Sequence, residues 1–344
     1  MKILLFSDVH WSTYTSVVRQ RDAIYSRRLN LLVESMNWLN KLAIERGCEF
    51  MICAGDMMNS STCGDEELTA LREVKWNDLK CYFLVGNHES SVRNLKFKTV
   101  DALESYNRII VNSEDVVLYD HENKVVINFL PYNEDYELSN RDDKYKDYKR
   151  VIISHNCIKG VQYGAFLSKV GYDIEDIESK CDLFLNGHIH NRGVITSKII
   201  NLGSVSAHNF TNDSSVYDYG VWILDTSTLK LEFIENPYSL NFYKFKVEND
   251  KELQELREVE LKNNSVLSIS AHDTYRESVK TTLEEKKNIL MYKIILSRDN
   301  VSTNVSFQSS DIKKKDHVEQ FRQFALEVLG NDTIVEEELS EVCQ

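Results

Sequence analysis

The sequence has no apolar run approaching the roughly 18 residues that a membrane-crossing helix needs. Its opening segment, "MKILLFSDVHWS", is interrupted by Asp8 soon after Phe6, too early for the apolar stretch of a signal peptide. Both absences lead to the expectation of a cytoplasmic protein with no membrane partner. Net positive charge is also missing: 41 Lys and Arg face 54 Asp and Glu, a formal charge of −13. Proteins that coat nucleic acid by bulk electrostatics are usually basic, so that class is set aside. A local basic surface, or an enzyme whose bound cations supply the positive charge, is not. No pair among the seven cysteines has C-x-x-C spacing, and several sit in apolar runs, as in "FMICAGD" and "CYFLVGN". They read as reduced thiols packed as small hydrophobes, not as a zinc cage. Internal repeats and low-complexity linkers are absent as well.

What is present is a series of short apolar runs that end in polar or glycine-containing turns. They are "KILLFSD" (2–8), "FMICAGD" (50–56), "CYFLVGN" (81–87), "VVINFLPYN" (125–133), "RVIISHN" (150–156), "DLFLNGH" (182–188), "KIINLGS" (198–204) and "YGVWILD" (219–225). Runs this short and rich in Val, Ile, Phe and Leu read as strands buried on both faces. Leu29, Leu32, Met36, Leu39 and Ala43 recur at three- and four-residue steps, with Gly47 placed as a helix stop. Strands alternating with helices make this an α/β layered domain. After Pro237 a β-α-β-α-β series follows (242–249, 250–261, 265–272, 275–288, 289–297), and a last amphipathic helix (316–330) precedes an acidic tail. The expected division is residues 1–236, a small α/β domain over 237–300, and a C-terminal helix and tail over 301–344.

In open α/β sheets, ligands gather beyond the carboxyl ends of the strands. Those ends carry Asp8-Val9-His10, Gly55-Asp56, Gly86-Asn87-His88-Glu89, Ser154-His155 and Gly187-His188-Ile189-His190, and with them five of the nine histidines. Imidazole and carboxylate together suit Mn²⁺, Fe or Zn²⁺ better than Ca²⁺. On extended backbone, residues i and i+2 point the same way, so Asp8 and His10 are expected to reach one ion together. Seven donors exceed what one tetrahedral ion accepts, and two ions about 3.5–4 Å apart follow, with Asp56 as the bridging carboxylate. D-x-H or G-D alone is a common surface turn. The five motifs in this order, each at a strand end, carry the inference together.

These motifs resemble, in order, those of calcineurin-like metallophosphoesterases, and within them the SbcD-type DNA repair nucleases. "FLPYNED" (129–135) and "NLGSVSAHNF" (201–210) resemble further segments of that family. The resemblance implies a layered β-sandwich flanked by helices, with a small C-terminal α/β capping domain. It implies a first metal on Asp8, His10 and His190, a second on Asn87, His155 and His188, and Asp56 between them, with Mn²⁺ expected first and Mg²⁺ as the alternative. His88 is implied as the histidine beside the scissile phosphate. A DNA substrate, an SbcC-type ATPase partner and a homodimer are implied as well. The chain departs from the pattern at Asn59, where SbcD-like nucleases often carry histidine. It also lacks the residues that follow G-D in protein serine/threonine phosphatases.

For holding DNA, Arg19, Arg21, Arg27 and Arg28 follow the first loop, and Arg93, Lys96 and Lys98 follow G-N-H-E. Phosphate contact and a solvated charged face are both open readings for each. Trp11 and Tyr14 are read as packing more readily than as base-stacking residues. His208 is read as structural, and His121, His272 and His317 as surface residues. Two rival functions remain: a phosphodiesterase or phosphatase for small molecules on the same metals, and a non-catalytic scaffold, against which the intact donor set speaks.

Overall fold

The computed structural model describes residues 1–297, apart from 14, 16, 17, 19, 90–98, 141, 164 and 165. The final helix and acidic tail expected beyond residue 300 lie outside the described residues. The first half of the chain forms β1 (Lys2–Phe6), α1 (Arg27–Glu45), β2 (Phe50–Cys53), α2 (Asp65–Leu71), β3 (Lys80–Leu84), β4 (Arg108–Val111), β5 (Val117–Asp120), β6 (Val125–Leu130) and β7 (Lys149–Ser154). There follow β8 (Gln162–Tyr163), β9 (Phe166–Leu167), α3 (Ile174–Lys180), β10 (Leu183–Asn186), β11 (Gly193–Val194), β12 (Ile199–Asn201), β13 (Gly220–Asp225) and β14 (Lys230–Glu235).

Two six-stranded sheets result, ordered β14-β13-β1-β2-β3-β4 and β11-β12-β10-β7-β6-β5. In the first, β1 to β4 are parallel while β13 and β14 are antiparallel additions. In the second, β12, β10, β7 and β6 are parallel between antiparallel edges β11 and β5. The eight apolar runs supply the inner strands of both sheets, and the reason is visible along β1. Ile3 and Leu5 point into the layer between the sheets with Ile127, Phe129, Val151 and Ile153. Leu4 and Phe6 point the other way, onto Leu29, Leu32, Met36, Leu39 and Ala43 of α1. A strand covered on both faces has no solvent side, so it carries no polar alternation. On the far side, Ile152 and Phe184 of the second sheet are covered by Ile177 of α3 and by Tyr172. The layered α/β sandwich flanked by helices is therefore the observed architecture.

Helix α1 starts where Ser26 Oγ accepts the Leu29 N–H (3.1 Å) and stops before Gly47, which adopts φ +65°. The C-terminal series folds as β15 (Asn241–Val247), α4 (Asp250–Glu258), β16 (Ser265–His272), α5 (Arg276–Glu285) and β17 (Ile289–Ser297), with the three strands parallel. Leu253, Leu256, Val279 and Leu283 of its helices pack on Tyr243, Val247, Leu267 and Ile269. Phe242 and Val266 of this unit share a cluster with Leu31 of α1 and with Tyr219. Lys262 pairs with Asp218 and Glu235, and Asp218 pairs in turn with Arg192. Met1–Ser297 forms one compact unit. No helix among the described residues is long and apolar enough to cross a membrane.

Leu39 is fully buried against the first sheet. Leu39→Ala is expected to lower stability by about 2–5 kcal/mol through the cavity it leaves. Chemical denaturation of the variant beside the wild type measures it, and a change within about 0.5 kcal/mol, typical of surface substitutions, would remove α1 from the core.

Candidate metal centre

Strands β1, β2, β3, β7 and β10 run parallel within their sheets, and the loop after each delivers one motif to the same edge of the sandwich. Asp56 Oδ2 lies at the middle: His155 Nε2 is 3.1 Å away, His10 Nε2 3.7 Å and His88 Nε2 3.9 Å. On one side stand Asp8, His10 and His190, with Asp8 Oδ1 at 3.9 Å from the Nε2 of each imidazole and the two Nε2 atoms 3.1 Å apart. On the other, Asn87 Oδ1 lies 3.0 Å from His188 Nδ1 and 3.2 Å from His155 Nε2. All seven residues read as donors from the sequence thus lie at this one edge.

The backbone at the site differs from the expectation of extended D-x-H geometry. Asp8 and His10 both have left-handed φ, at 51° and 47°, as do Asp56 (50°) and His188 (72°). Strand β1 has ended at Phe6, and the two side chains meet through a tight turn, not through strand alternation. Such conformations cost non-glycine residues on the order of 1–3 kcal/mol each and persist only where surrounding contacts impose them. Those contacts are present. Asp8 N–H donates to Gly55 O, and His10 N–H to Asp56 O, both at 3.0 Å. Asp8 Oδ2 accepts from Ser7 Oγ (2.5 Å) and from the His188 N–H (3.1 Å), and Asp56 Oδ1 accepts the His88 N–H (3.0 Å). Gly55 and Gly86 allow the approach: a Cβ at the first would run into His155 Nδ1, and at the second into Asp56 Oδ1.

The donor chemistry fits divalent ions. Asp8 Oδ1 is buried without a hydrogen-bond partner, flanked by two imidazole nitrogens. An unsatisfied buried carboxylate oxygen is costly unless a cation meets it. His155 Nδ1–H donates to Ala54 O (2.7 Å), which directs Nε2 at Asp56 Oδ2 (3.1 Å) and Asn87 Oδ1 (3.2 Å), the edge that a cation would share with them. Side-chain atoms of His10, Asp56 and His88, and of Asp56, His155 and His188, lie within 4.8 Å of one another, a spacing compatible with shared ions.

Burial and mutual repulsion lower the imidazoles of His10, His190 and His188, the last to about 3. Asp56 and His155 are the exception. Burial disfavours both charges, but their attraction overrides it, taking Asp56 down to about 2 and His155 up to about 10. Glu89 is buried and raised to about 8 by burial and by Asp56. Sequence reasoning gave it no role, yet it accepts from Met58 N–H and Gly86 N–H, both at 2.8 Å, and so ties the G-D loop to the G-N-H-E loop.

The remaining candidates are placed less uniformly. Arg28, read as a phosphate contact, is buried and donates to carbonyls of the first loop. The helical pattern contained the warning, because Arg28 lies on the stripe of Leu31, Leu32, Ser35 and Met36. Arg21 is exposed and paired with Glu66, and Arg27 contacts Asp22 and Asn264. Arg19, Arg93, Lys96, Lys98 and Tyr14 lie outside the described residues. Trp11 is packed, its Nε1–H on Glu67 O at 3.0 Å. His208, read as structural, has its ring centroid 4.7 Å from those of both His10 and His190.

With this geometry in place, the comparisons give it a class. The model of calcineurin-like phosphoesterases matches residues 1–192, and the chain belongs to that family. It is therefore a hydrolase of phosphoesters by descent, with His and Asp groups able to hold divalent metals. No curated protein matches the chain. Among solved structures it is similar to the protein TT1561 of Thermus thermophilus, at 14% identity over 68% of this chain and 98% of that one, with a TM-score of 0.39. A protein described as a novel archaeal phosphodiesterase shares 15% identity over 68% and 99%, with a TM-score of 0.35. A dimetal phosphatase from Danio rerio shares 13% over 65% and 91%, with a TM-score of 0.38.

The titrations set a pH dependence. His10, His188 and His190 are depressed, so their contribution to stability is present above the unfolded value of about 6.5 and is lost as pH falls through their folded values. His155 acts oppositely, its contribution being present below about 6.5 and lost as pH rises toward about 10. In protein stripped of divalent ions, the melting midpoint is expected to fall as pH is lowered from about 6.5 to about 3. Glu89 and Asp8, whose folded values are raised, act in the opposite sense. Thermal melts across that range are therefore run beside His188→Asn, in which the acid-side fall is expected to shrink; an unchanged slope would contradict a neutral, buried His188.

Proposed function

We propose that the chain hydrolyses phosphodiester bonds in DNA, as the nuclease subunit of an SbcD-type pair working with an SbcC-type ATPase in repair or recombination. Two divalent cations, Mn²⁺ first and Mg²⁺ as the alternative, would be held by Asp8, His10 and His190 at one position and by Asn87, His155 and His188 at the other. Asp56 would be shared. The observation that carries the phosphoesterase core of this reading is the convergence of these seven donors around Asp56 Oδ2, with Asp8 Oδ1 buried and unsatisfied. The DNA specificity is supported by the motif order and by the β-α-β-α-β unit that follows the sandwich. The homodimer belongs to the same proposal.

Bound ions of this kind neutralise phosphate oxygens and lower the pKa of a coordinated water. The chain's own residues orient that chemistry. His88 is the half-exposed member of the cluster, and its Nδ1–H donates to Asn59 O at 2.7 Å. That bond turns Nε2 toward the site, where it can hydrogen-bond a phosphate oxygen or give a proton to the leaving oxygen. Asn59, at a position where SbcD-like nucleases often carry histidine, thus orients His88 through its main-chain oxygen. Ser7, Gly55, Gly86 and Glu89 fix the loops, so the donors are arranged before substrate arrives.

A second reading is hydrolysis of small phosphodiesters or phosphomonoesters at the same centre. It is favoured by the engagement of Arg21, Arg27 and Arg28 within the protein, which gathers no phosphate-binding strip from the described residues. Digestion of end-labelled duplex with Mn²⁺, with and without the ATPase, separates the two when run beside bis-p-nitrophenyl phosphate. Hydrolysis of the small ester with intact DNA under every condition would establish the second reading.

Two substitutions test the centre under either substrate. Asp56→Asn is expected to abolish hydrolysis, and survival of activity would remove the metal-based account. His88→Asn is expected to lower kcat by about 10²–10⁴, the usual contribution of a general acid, with Mn²⁺ stoichiometry unchanged by calorimetry.

A further inference from the structure

The carbonyl oxygens of Asp8, Val9 and His10 follow one another along the first loop of the centre, and one buried pair of side chains meets all three. Arg28 Nη2 donates to Val9 O (3.4 Å) and His10 O (3.0 Å), and Nε donates to Ser12 Oγ (3.2 Å), whose hydroxyl donates to His10 O (3.0 Å). Arg28 Nη2 also donates to His208 Nδ1 at 2.9 Å. A guanidinium has only donors, so His208 Nδ1 is the acceptor and its hydrogen sits on Nε2. That Nε2–H donates to Asp8 O at 3.1 Å. Both ring nitrogens of His208 are therefore engaged, although the ring offers a nitrogen within 4.8 Å of those of His10 and His190. Arg28 is 1% exposed and His208 8%, and no carboxylate pairs with Arg28 among the described residues. Its charge is directed at the carbonyls of a left-handed turn.

The same pair reaches the second loop of the first position. His208 N–H donates to Asn212 Oδ1, and Asn212 Nδ2 donates to Asn191 Oδ1, both at 3.1 Å. Asn191 directly follows His190, and its Oδ1 also accepts from Tyr219 OH (3.1 Å). The His208 ring packs against the rings of His10 and His190 at 4.7 Å each. Asp8, His10 and His190 are thus held in register from behind by one connected set.

We propose that Arg28 and His208 are a positioning pair that sets the geometry and affinity of the Asp8–His10–His190 position and leaves the Asn87–His155–His188 position largely alone. This rests on the two-ion reading above. Residues that orient ligands from behind typically change metal affinity by about 10–100-fold when removed.

The test titrates Mn²⁺ into full-length, ion-stripped protein by calorimetry and records electron paramagnetic resonance of the loaded samples. His190→Ala identifies the binding step of the first position, and His155→Ala that of the second. His208→Ala and Arg28→Met are expected to weaken the first step about tenfold or more and leave the second essentially unchanged. At limiting Mn²⁺ the exchange-coupled spectrum of the wild type should give way to a six-line mononuclear one. His208→Gln, which offers an amide donor and an acceptor, should recover most of the affinity and the coupled spectrum. Two steps unchanged in both variants, or weakened equally, overturn the pair while the two-ion reading stands. A wild type that binds no Mn²⁺ overturns the two-ion reading itself. Melts in chelator check folding, and if His208→Ala fails to fold, Arg28→Lys decides, because it keeps the charge and loses the forked contact. An unaltered first step in that variant counts against the proposal.

Discussion

Asp56 presents one carboxylate oxygen to three imidazoles, within 3.1–3.9 Å, at the point where both sheets end. The surrounding structure follows from keeping that oxygen charged and accessible in a place where burial opposes charge. Glycines at 55 and 86 make room for it, the His88 amide holds its second oxygen, and Glu89 locks the loops on which it sits. The rest of the sandwich gives these loops a rigid base. A centre built on loops alone would drift by more than the tolerance of metal coordination.

The division of labour between strands and loops explains much of what could be read in advance. The inner strands had to be apolar on both faces, so their runs stand out and their ends can be counted. The outer strands escaped notice for the opposite reason. Strand β14, KLEFIE, alternates exposed charge with half-buried apolar residues, and β4 and β5 are four residues each at sheet edges. Such segments carry a weak signal because only one face, or one edge, is buried. The motif residues were legible because this edge concentrates histidine and carboxylate where ordinary strands place turn residues.

The supporting residues were not legible in the same way. Arg28 lies in a run of arginines that looks like a charged surface, and only its position on the buried stripe of α1 sets it apart. His208 stands in a loop with no repeating spacing, and its contacts come from residues 180 and 200 positions away. Glu89 belongs to a motif whose asparagine and histidine draw attention first. In each case the function is set by tertiary proximity, which a local pattern does not encode. The backbone was misjudged for a related reason: the i, i+2 spacing of Asp8 and His10 is compatible with a strand, and the tight turn that realises it depends on hydrogen bonds to the Gly55–Asp56 segment.

The four left-handed residues of the centre set chemistry against backbone comfort. Asp8, His10, Asp56 and His188 occupy backbone conformations that glycine adopts freely. Replacing one of them by glycine removes a donor and at the same moment relieves local strain, so chemistry and folding pull in opposite directions at these positions. Loss of catalysis is thus no barrier to persistence of the fold. At Asp8 and Asp56 the exchange would also cost the bonds that their carboxylates accept from Ser7 and from the His188 and His88 amides, so the relief there is partly cancelled.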